Sequence, residues 1–215
     1  MLTLSTSFGK LHSMSEIKPY HHENLREALL VETAVMIAEG GVESVTIRGL
    51  ANRVGVSRGA PYRHFSDKGS LLTAVAEDGF NRLKQKMVEA VKRDDPLQDF
   101  FQIGMAYIHF AVENPTHYRL MFGPEGFQRT EEGTLTAVAD DTYMLMQDTI
   151  ELCQQNGSIK PEDPCLLGYA TWAMVHGTAT LLIDRQTHGD IDVETFIQIT
   201  YQTLASGMVN LLPAQ

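Results

Sequence analysis

The stretch from Thr46 to Leu72, TIRGLANRVGVSRGAPYRHFSDKGSLL, constrains this chain more than any other. Its five cations, Arg48, Arg53, Arg58, Arg63 and Lys68, are opposed only by Asp67, giving a net charge of +4 within a protein whose formal net charge is −10. Positive charge concentrated in an otherwise acidic chain marks a surface for a polyanion. The local grammar gives that surface a shape. Thr46 is a good N-cap for a helix through Ile47, Leu50, Ala51 and Val54, whose spacing keeps them on one face. Gly55 tolerates the positive φ of a sharp stop, Val56 plugs the angle, and Ser57 is placed to cap a second helix from Arg58 to Phe65. Helix, short turn, helix is the geometry in which the second helix enters the major groove with its N-terminal residues at base edges, while the first crosses the phosphates. Arg58, Gly59 and Ala60 would lead.

The capping Thr with Arg two residues on, then VGVSRGAPYRHFSDK followed by Leu71-Leu72, closely resembles the N-terminal domain of tetracycline-repressor-type (TetR/AcrR) transcriptional regulators. The resemblance covers roughly residues 20 to 90, and the preceding YHHENLREALL extends it. Trp172-Ala-Met-Val-His176-Gly177 is similar to a subgroup with a Trp…His-Gly signature in its C-terminal domain. Gly49, read as mid-helix, departs from good helix chemistry by up to about 1 kcal/mol relative to Ala; Gly69 stands where the family commonly has an acidic residue. The resemblance implies an all-α protein of about nine helices: an N-terminal three-helix helix-turn-helix domain joined by a long helix to a C-terminal ligand-binding and dimerisation domain. The candidate DNA contacts are Thr46, Arg48, Ser57, Arg58, Gly59, Ala60, Tyr62, Arg63, His64 and Lys68. Arg58 and Arg48 are expected at bases, and Tyr62, His64 and Lys68 resemble the family's phosphate contacts. Phe65 reads as core. Helix-turn-helix geometry also occurs as plain core packing, but a structural hairpin has little use for so many cations beside Tyr62 and His64.

Charge divides the chain. Residues 1–95 hold 13 lysines and arginines against 12 acids, whereas residues 96–215 hold 4 against 15. The acidic C-terminal body cannot be a second nucleic-acid surface, and its repulsion from phosphate orients the N-terminal unit toward DNA. Apolar stretches are broken by Thr, His or Asp before about 18 residues, so no membrane span is expected. No apolar run follows a basic start, so no secretory signal is expected and the cytoplasm is the expected compartment. Cys153 and Cys165 form neither a disulfide framework nor a Cys-x-x-Cys pair.

The expected organisation is a disordered arm over residues 1–20, a DNA-binding domain over 21–66, a connecting helix over 67–93 and a ligand-binding and dimerisation domain over 94–215. Met14 is an alternative start to Met1. Helix one begins at Asn24 and stops at Gly40-Gly41; Ser66 or Asp67 caps the connector; Pro96 starts the next helix and Asn114-Pro115 breaks it. GPEGFQRTEEGT reads as a loop, Leu135 to Gln155 as a helix, Asp163-Pro164 as the start of another to Asp184, and Asp192 as the start of the last, ending near Leu212-Pro213.

The helix after Asp163 is apolar nearly all round, with Ala170, Ala173 and Gly177 as a small-residue stripe. With Leu181 and, from the last helix, Phe196, Thr200 and Leu204, it is the expected homodimer interface; a helix wholly buried within one chain is the alternative. Aromatics and methionines of the central helices suit either a core or a cavity for an apolar ligand. The family's ligand-controlled body makes Phe101, Met105, His109, Tyr118, Phe122, Tyr143, Trp172 and His176 candidates for contact with a small-molecule effector. The histidines lack metal-site spacing, no cofactor is implied, and no Gly-x-Ser-x-Gly elbow, phosphate-binding glycine loop or spaced carboxylate pair suggests an enzyme. The expected function is a ligand-responsive homodimeric repressor that binds double-stranded DNA at a palindromic operator; an effector-independent architectural DNA-binding protein is the alternative.

Overall fold

The computed structural model describes residues 25–92, 94–123, 134–187 and 189–208. Among them are eight α-helices, two 3-10 turns and no β-strand. The expected arm, most of the expected loop after Phe122 and the end of the last helix lie outside the described residues.

Three elements build the head. α1 (Leu25–Gly40) buries Leu25, Leu29, Leu30 and Ala34, and Gly41 follows at φ 75°. A 3-10 turn (Val42–Ser44) leads to Thr46, whose Oγ1 accepts the Gly49 amide at 3.0 Å and caps α2 (Ile47–Val54). Gly49 is therefore not mid-helix: it is the third residue, and a β-carbon there would stand 2.8 Å from the capping oxygen. Gly55 ends α2 in the left-handed conformation (φ 76°), its amide and that of Val56 returning to Ala51 O.

The expected helix from Arg58 to Phe65 is replaced by a turn and a single 3-10 segment, Pro61–Arg63. Proline explains it. Pro61 has no amide proton to donate back to Ser57 O, which accepts from Ala60 at 2.9 Å instead, and the following bonds close from His64 and Phe65 onto Pro61 O. No side-chain bond caps this segment, so Ser57 does not act as its cap. Phe65 is 3% exposed and plugs the head, with Arg26 over its ring.

α3 (Lys68–Ala90) starts from a complete capping box: Asp67 Oδ1 accepts Ser70 N at 2.7 Å and Ser70 Oγ accepts Asp67 N at 3.2 Å. The body follows as α4 (Pro96–Glu113), α5 (Pro115–Phe122), α6 (Thr134–Gln155), α7 (Pro164–Ile183) and α8 (Val193–Met208). Asp95 and Asp163 cap α4 and α7 ahead of Pro96 and Pro164, and Asp192 Oδ2 accepts Thr195 N at the start of α8. Buried side chains run without a break from Leu29 and Leu50 in the head through Leu71 and Val75 of α3 to Ile103, Ile108 and Met121; a second cluster around Phe100, Ile150, Ile159 and Leu204 fills the far end. α5 meets α3 closely at Gly79, where Met121 Sδ occupies the place of a side chain, 2.6 Å from a built β-carbon.

α7 is apolar along most of its length. An 18-residue window within it has mean hydropathy 1.3, so by length and composition it is apolar enough to cross a membrane. Its threonines interrupt less than their identity suggests, because Thr171 and Thr178 return their hydroxyls to Leu167 O and Met174 O at 2.8 and 2.9 Å. The helix packs against α4, α6 and α8 in the body.

Candidate nucleic-acid interface and interior cavity

The turn after α2 carries an outward cationic face. Arg48 of α2 and Ser57, Arg58, Gly59, Tyr62, Arg63 and His64 beyond it are exposed and Ala60 is half-buried, so the turn before the 3-10 segment presents the residues the expected helix would have led with. Tyr62 is 58% exposed, far more than an aromatic side chain retains when it serves a core. Thr46 is exposed, but its oxygen is committed to the cap. Lys68 Nζ sits at the first residue of α3, 3.6 Å from Glu43 Oε2. Arg53 does not belong to this face: it is tied to Glu32 and Glu39 of α1 and fastens α2 to α1. The segment's charge counts it, but the docking surface does not.

A cavity of about 320 Å³ lies in the body. α3 contributes Phe80, Leu83 and Met87; α4 contributes Ile103, Gly104 and Tyr107; α5 contributes Phe122. The other side is Ala139, Asp140, Thr142, Tyr143 and Met146 of α6 and Tyr169, Trp172, Val175 and His176 of α7. Of the eight expected contacts, Phe122, Tyr143, Trp172 and His176 line it. Tyr118 lies one layer behind, buried, with its hydroxyl 2.6 Å from His176 Nδ1. Phe101, Met105 and His109 do not line it, because they recur every four residues on a different face of α4. Phe101 meets the Tyr201 ring edge-on at 5.7 Å, and His109 Nε2 lies 3.6 Å from Glu194 Oε1, both on α8. Tyr107 and the three α3 side chains line it without being among the eight candidates; the apolar helical spacing of Phe80, Leu83 and Met87 fits core and cavity wall equally.

Polar groups in the wall are linked. Tyr107 Oη lies 2.9 Å from Tyr118 Oη and 3.1 Å from His176 Nδ1, and accepts Trp172 Nε1–H at 3.2 Å. Burial pushes the Tyr107 and Tyr118 hydroxyls well above the ordinary tyrosine range. Burial likewise holds the His176 imidazole below its usual value, which favours the neutral ring. Tyr143 donates to Cys165 O at 3.1 Å and stacks on Tyr169.

Beyond the cavity, α7 shows an uncovered face: Leu166, 67% exposed, with Ala170, Ala173 and Leu181, while Gly177 has nothing within 4 Å of a built β-carbon. On α8, Ile199 is 55% exposed and Phe196 and Thr200 are half-buried. Leu204, expected on this face, is instead buried against Phe100 and Ile150, because its turn of α8 faces the far core cluster.

Residues 29–75 match the bacterial regulatory proteins of the tetR family, and residues 100–204 match the tetracyclin repressor-like C-terminal domain. The chain belongs to the TetR family. As a TetR-family protein it is a DNA-binding transcriptional regulator, and its head and body are the two matched regions. It is 22% identical over 186 residues to the helix-turn-helix transcriptional regulator YobS of Bacillus subtilis, covering 86% of this chain and 93% of that one. It is 39% identical over 64 residues to the transcriptional repressor AcnR of Corynebacterium diphtheriae, 30% of this chain and 34% of that one. Among solved structures, a protein with unknown function from Rhodococcus sp. RHA1 superposes with a TM-score of 0.80 at 29% identity, covering 90% of this TetR-family chain and all of the other.

Proposed function

We propose that this TetR-family protein is a cytoplasmic homodimeric repressor whose two heads grip a two-fold-symmetric operator and release it when a small, largely apolar molecule fills the interior cavity. One observation carries the reading. The same helix, α3, begins at Lys68 beside the cationic face and forms a cavity wall through Phe80, Leu83 and Met87. At 1.5 Å per residue it is a rod about 34 Å long, so a tilt at one end displaces the other. α5 adds a second coupling: Phe122 faces the cavity while Met121 rests on Gly79 of α3. A ligand that fits one arrangement of these helices better than another shifts the population between them by that difference in affinity.

In this reading Arg58 and Arg48 read base edges, Tyr62, His64 and Lys68 hold phosphates, and Thr46, Ser57, Gly59, Ala60 and Arg63 complete the contact surface. Two heads are needed because one buries little surface, and a symmetric pair set about 34 to 36 Å apart reads both half-sites. The uncovered α7 and α8 faces supply the dimer contact, since a continuous apolar face left in water is an association site. Repression follows the relative named as a repressor over the head region.

The test is fluorescence anisotropy with duplexes tiled across the DNA flanking the protein's own gene. One duplex bound far more tightly than the rest, with two molecules per site, supports the reading; equal affinity for every duplex with a steep salt dependence would instead make it an architectural protein. A compound that binds the body must also release that duplex over the same concentration range.

A further inference from the structure

We propose that His176 is held with its proton on Nε2, and that this N–H is the donor by which the cavity selects a neutral, largely apolar molecule carrying an acceptor oxygen, such as a ketone, ester or amide carbonyl. The inference rests on the ligand-responsive reading above and specifies the ligand of that site.

The argument is an account of protons. Tyr118 Oη, Tyr107 Oη and His176 Nδ1 form a closed triangle with sides of 2.6, 2.9 and 3.1 Å, and Trp172 Nε1–H enters it at Tyr107 Oη. The two hydroxyls are buried, so each proton needs a partner, and outside the triangle only Thr180 beside Tyr118 and the cavity beside Tyr107 offer a way out. If Nδ1 carried a proton, three protons would face two oxygens. One hydroxyl proton would then have to leave the triangle, toward Thr180 or into the cavity, because two hydroxyls cannot donate to each other at once. With Nδ1 bare, every proton stays on these short contacts: Trp172 donates to Tyr107, Tyr107 to Tyr118, and Tyr118 to Nδ1 across the shortest side. A neutral imidazole with a bare Nδ1 carries its proton on Nε2. Burial favours the neutral ring.

His176 belongs to the cavity wall, and no described residue hydrogen-bonds to its Nε2. A ligand with an acceptor oxygen would complete it. The rest of the wall states what that oxygen is attached to. Phe122 and Trp172 flank the His176 ring at 4.8 and 5.6 Å between centroids, walls for an apolar or aromatic body. Asp140 is the one charged side chain lining the cavity among the described residues, and no Lys or Arg lines it there. A carboxylate ligand would thus meet a neutral donor and no cation to offset its desolvation, whereas a neutral carbonyl needs only the donor.

Two measurements on the full-length wild-type chain test this. The first is two-bond proton–nitrogen correlation NMR of histidine-labelled protein at pH 7.5, with the His176 ring assigned through its contacts to Trp172 and Phe122. A bare Nδ1 and a protonated Nε2 are expected; the opposite tautomer, or an imidazolium, overturns the proposal. The second is calorimetric titration with acetophenone, its hydrocarbon match isopropenylbenzene, and benzoate. Acetophenone should bind about tenfold more tightly than the hydrocarbon, the usual size of one neutral hydrogen bond, and benzoate no better than the hydrocarbon. Equal affinities for ketone and hydrocarbon, a preference for benzoate, or no binding of any of the three up to their solubility limits overturns it. Failure of the ligand-responsive reading looks different: acetophenone would show its tenfold preference yet leave operator affinity unchanged. Release of operator by the hydrocarbon as effectively as by the ketone would remove the proposal and leave that reading intact.

Discussion

The hydroxyl of Tyr201 on α8 lies directly over the backbone of Gly104 on α4: a β-carbon built on Gly104 would stand 1.7 Å from Tyr201 Oη. Tyr201 is buried, and Oη has no hydrogen-bond partner among the described residues. Gly104 also lines the cavity on its other side. The missing side chain is therefore what lets α8 close onto α4 behind the cavity, with an uncompensated polar atom left in the contact.

Gly104→Ala should cost about 1 to 3 kcal/mol, the usual penalty for overpacking a filled site. Tyr201→Phe should be neutral or stabilising, because it removes a buried hydroxyl without removing a bond. The double variant should recover part of the Gly104→Ala loss. Urea unfolding of the three variants checks this; strictly additive effects would mean the two residues do not share the contact.

Arg58→Ala should cost about 1 to 3 kcal/mol on operator DNA and far less on scrambled DNA, as expected for a base contact. Lys68→Ala should weaken both DNAs alike and reduce the salt slope by about one unit per half-site. Arg53→Ala, by contrast, should lower the melting temperature of the head while leaving the specificity ratio unchanged, since Arg53 is held by Glu32 and Glu39. Titrations at several salt concentrations separate the three; equal losses on both DNAs for Arg58→Ala would remove it from the base-reading set.

Ala173→Glu, on the exposed face of α7, should leave the monomer folded and break the dimer, because a carboxylate would be buried unpaired between two apolar faces. Operator affinity should fall with the head untouched. Sedimentation velocity decides the matter: a folded variant still dimeric at micromolar concentration would place the interface elsewhere.

Acid should destabilise the protein in a histidine window. Burial, and for His117 also the nearby Arg82 charge, holds His117 and His176 below the ordinary histidine value, despite the opposing pull of Asp78 on His117. The unfolded chain thus takes up protons first as pH falls through about 6.5, and this stabilising contribution, complete above that pH, is lost as pH drops toward the folded-state values. Melting temperatures from pH 7.5 to 5.5 should decline, and the decline should be shallower in His117→Asn. A flat profile over that range would contradict both assignments. Asp67, whose carboxylate is lowered chiefly by the Ser70 amide, acts only at more acidic pH.

What the sequence alone determined was everything governed by neighbours in the chain. The caps at Thr46, Asp67, Asp95 and Asp163, the left-handed stop at Gly55 and the proline starts of α4, α5 and α7 are local chemistry, and helical periodicity supplied the long helices between them. Pro61 held a local signal too, but the motif around it outweighed the missing amide, and a 3-10 turn stands where a helix was expected. The tertiary structure decided what depends on which face meets which neighbour. An apolar stripe such as Phe80, Leu83 and Met87 reads identically whether it touches a core or lines a void, and only the packing of α4 to α7 around it left the void. The same holds for α4, where Tyr107 faces the cavity while Phe101 and His109 face α8, and for Arg53, a cation withdrawn from the docking face by two glutamates 21 and 14 residues earlier. Periodicity fixes the spacing of side chains around a helix but not the direction in which the helix is turned; that rotation is set by the summed packing of every element against the others.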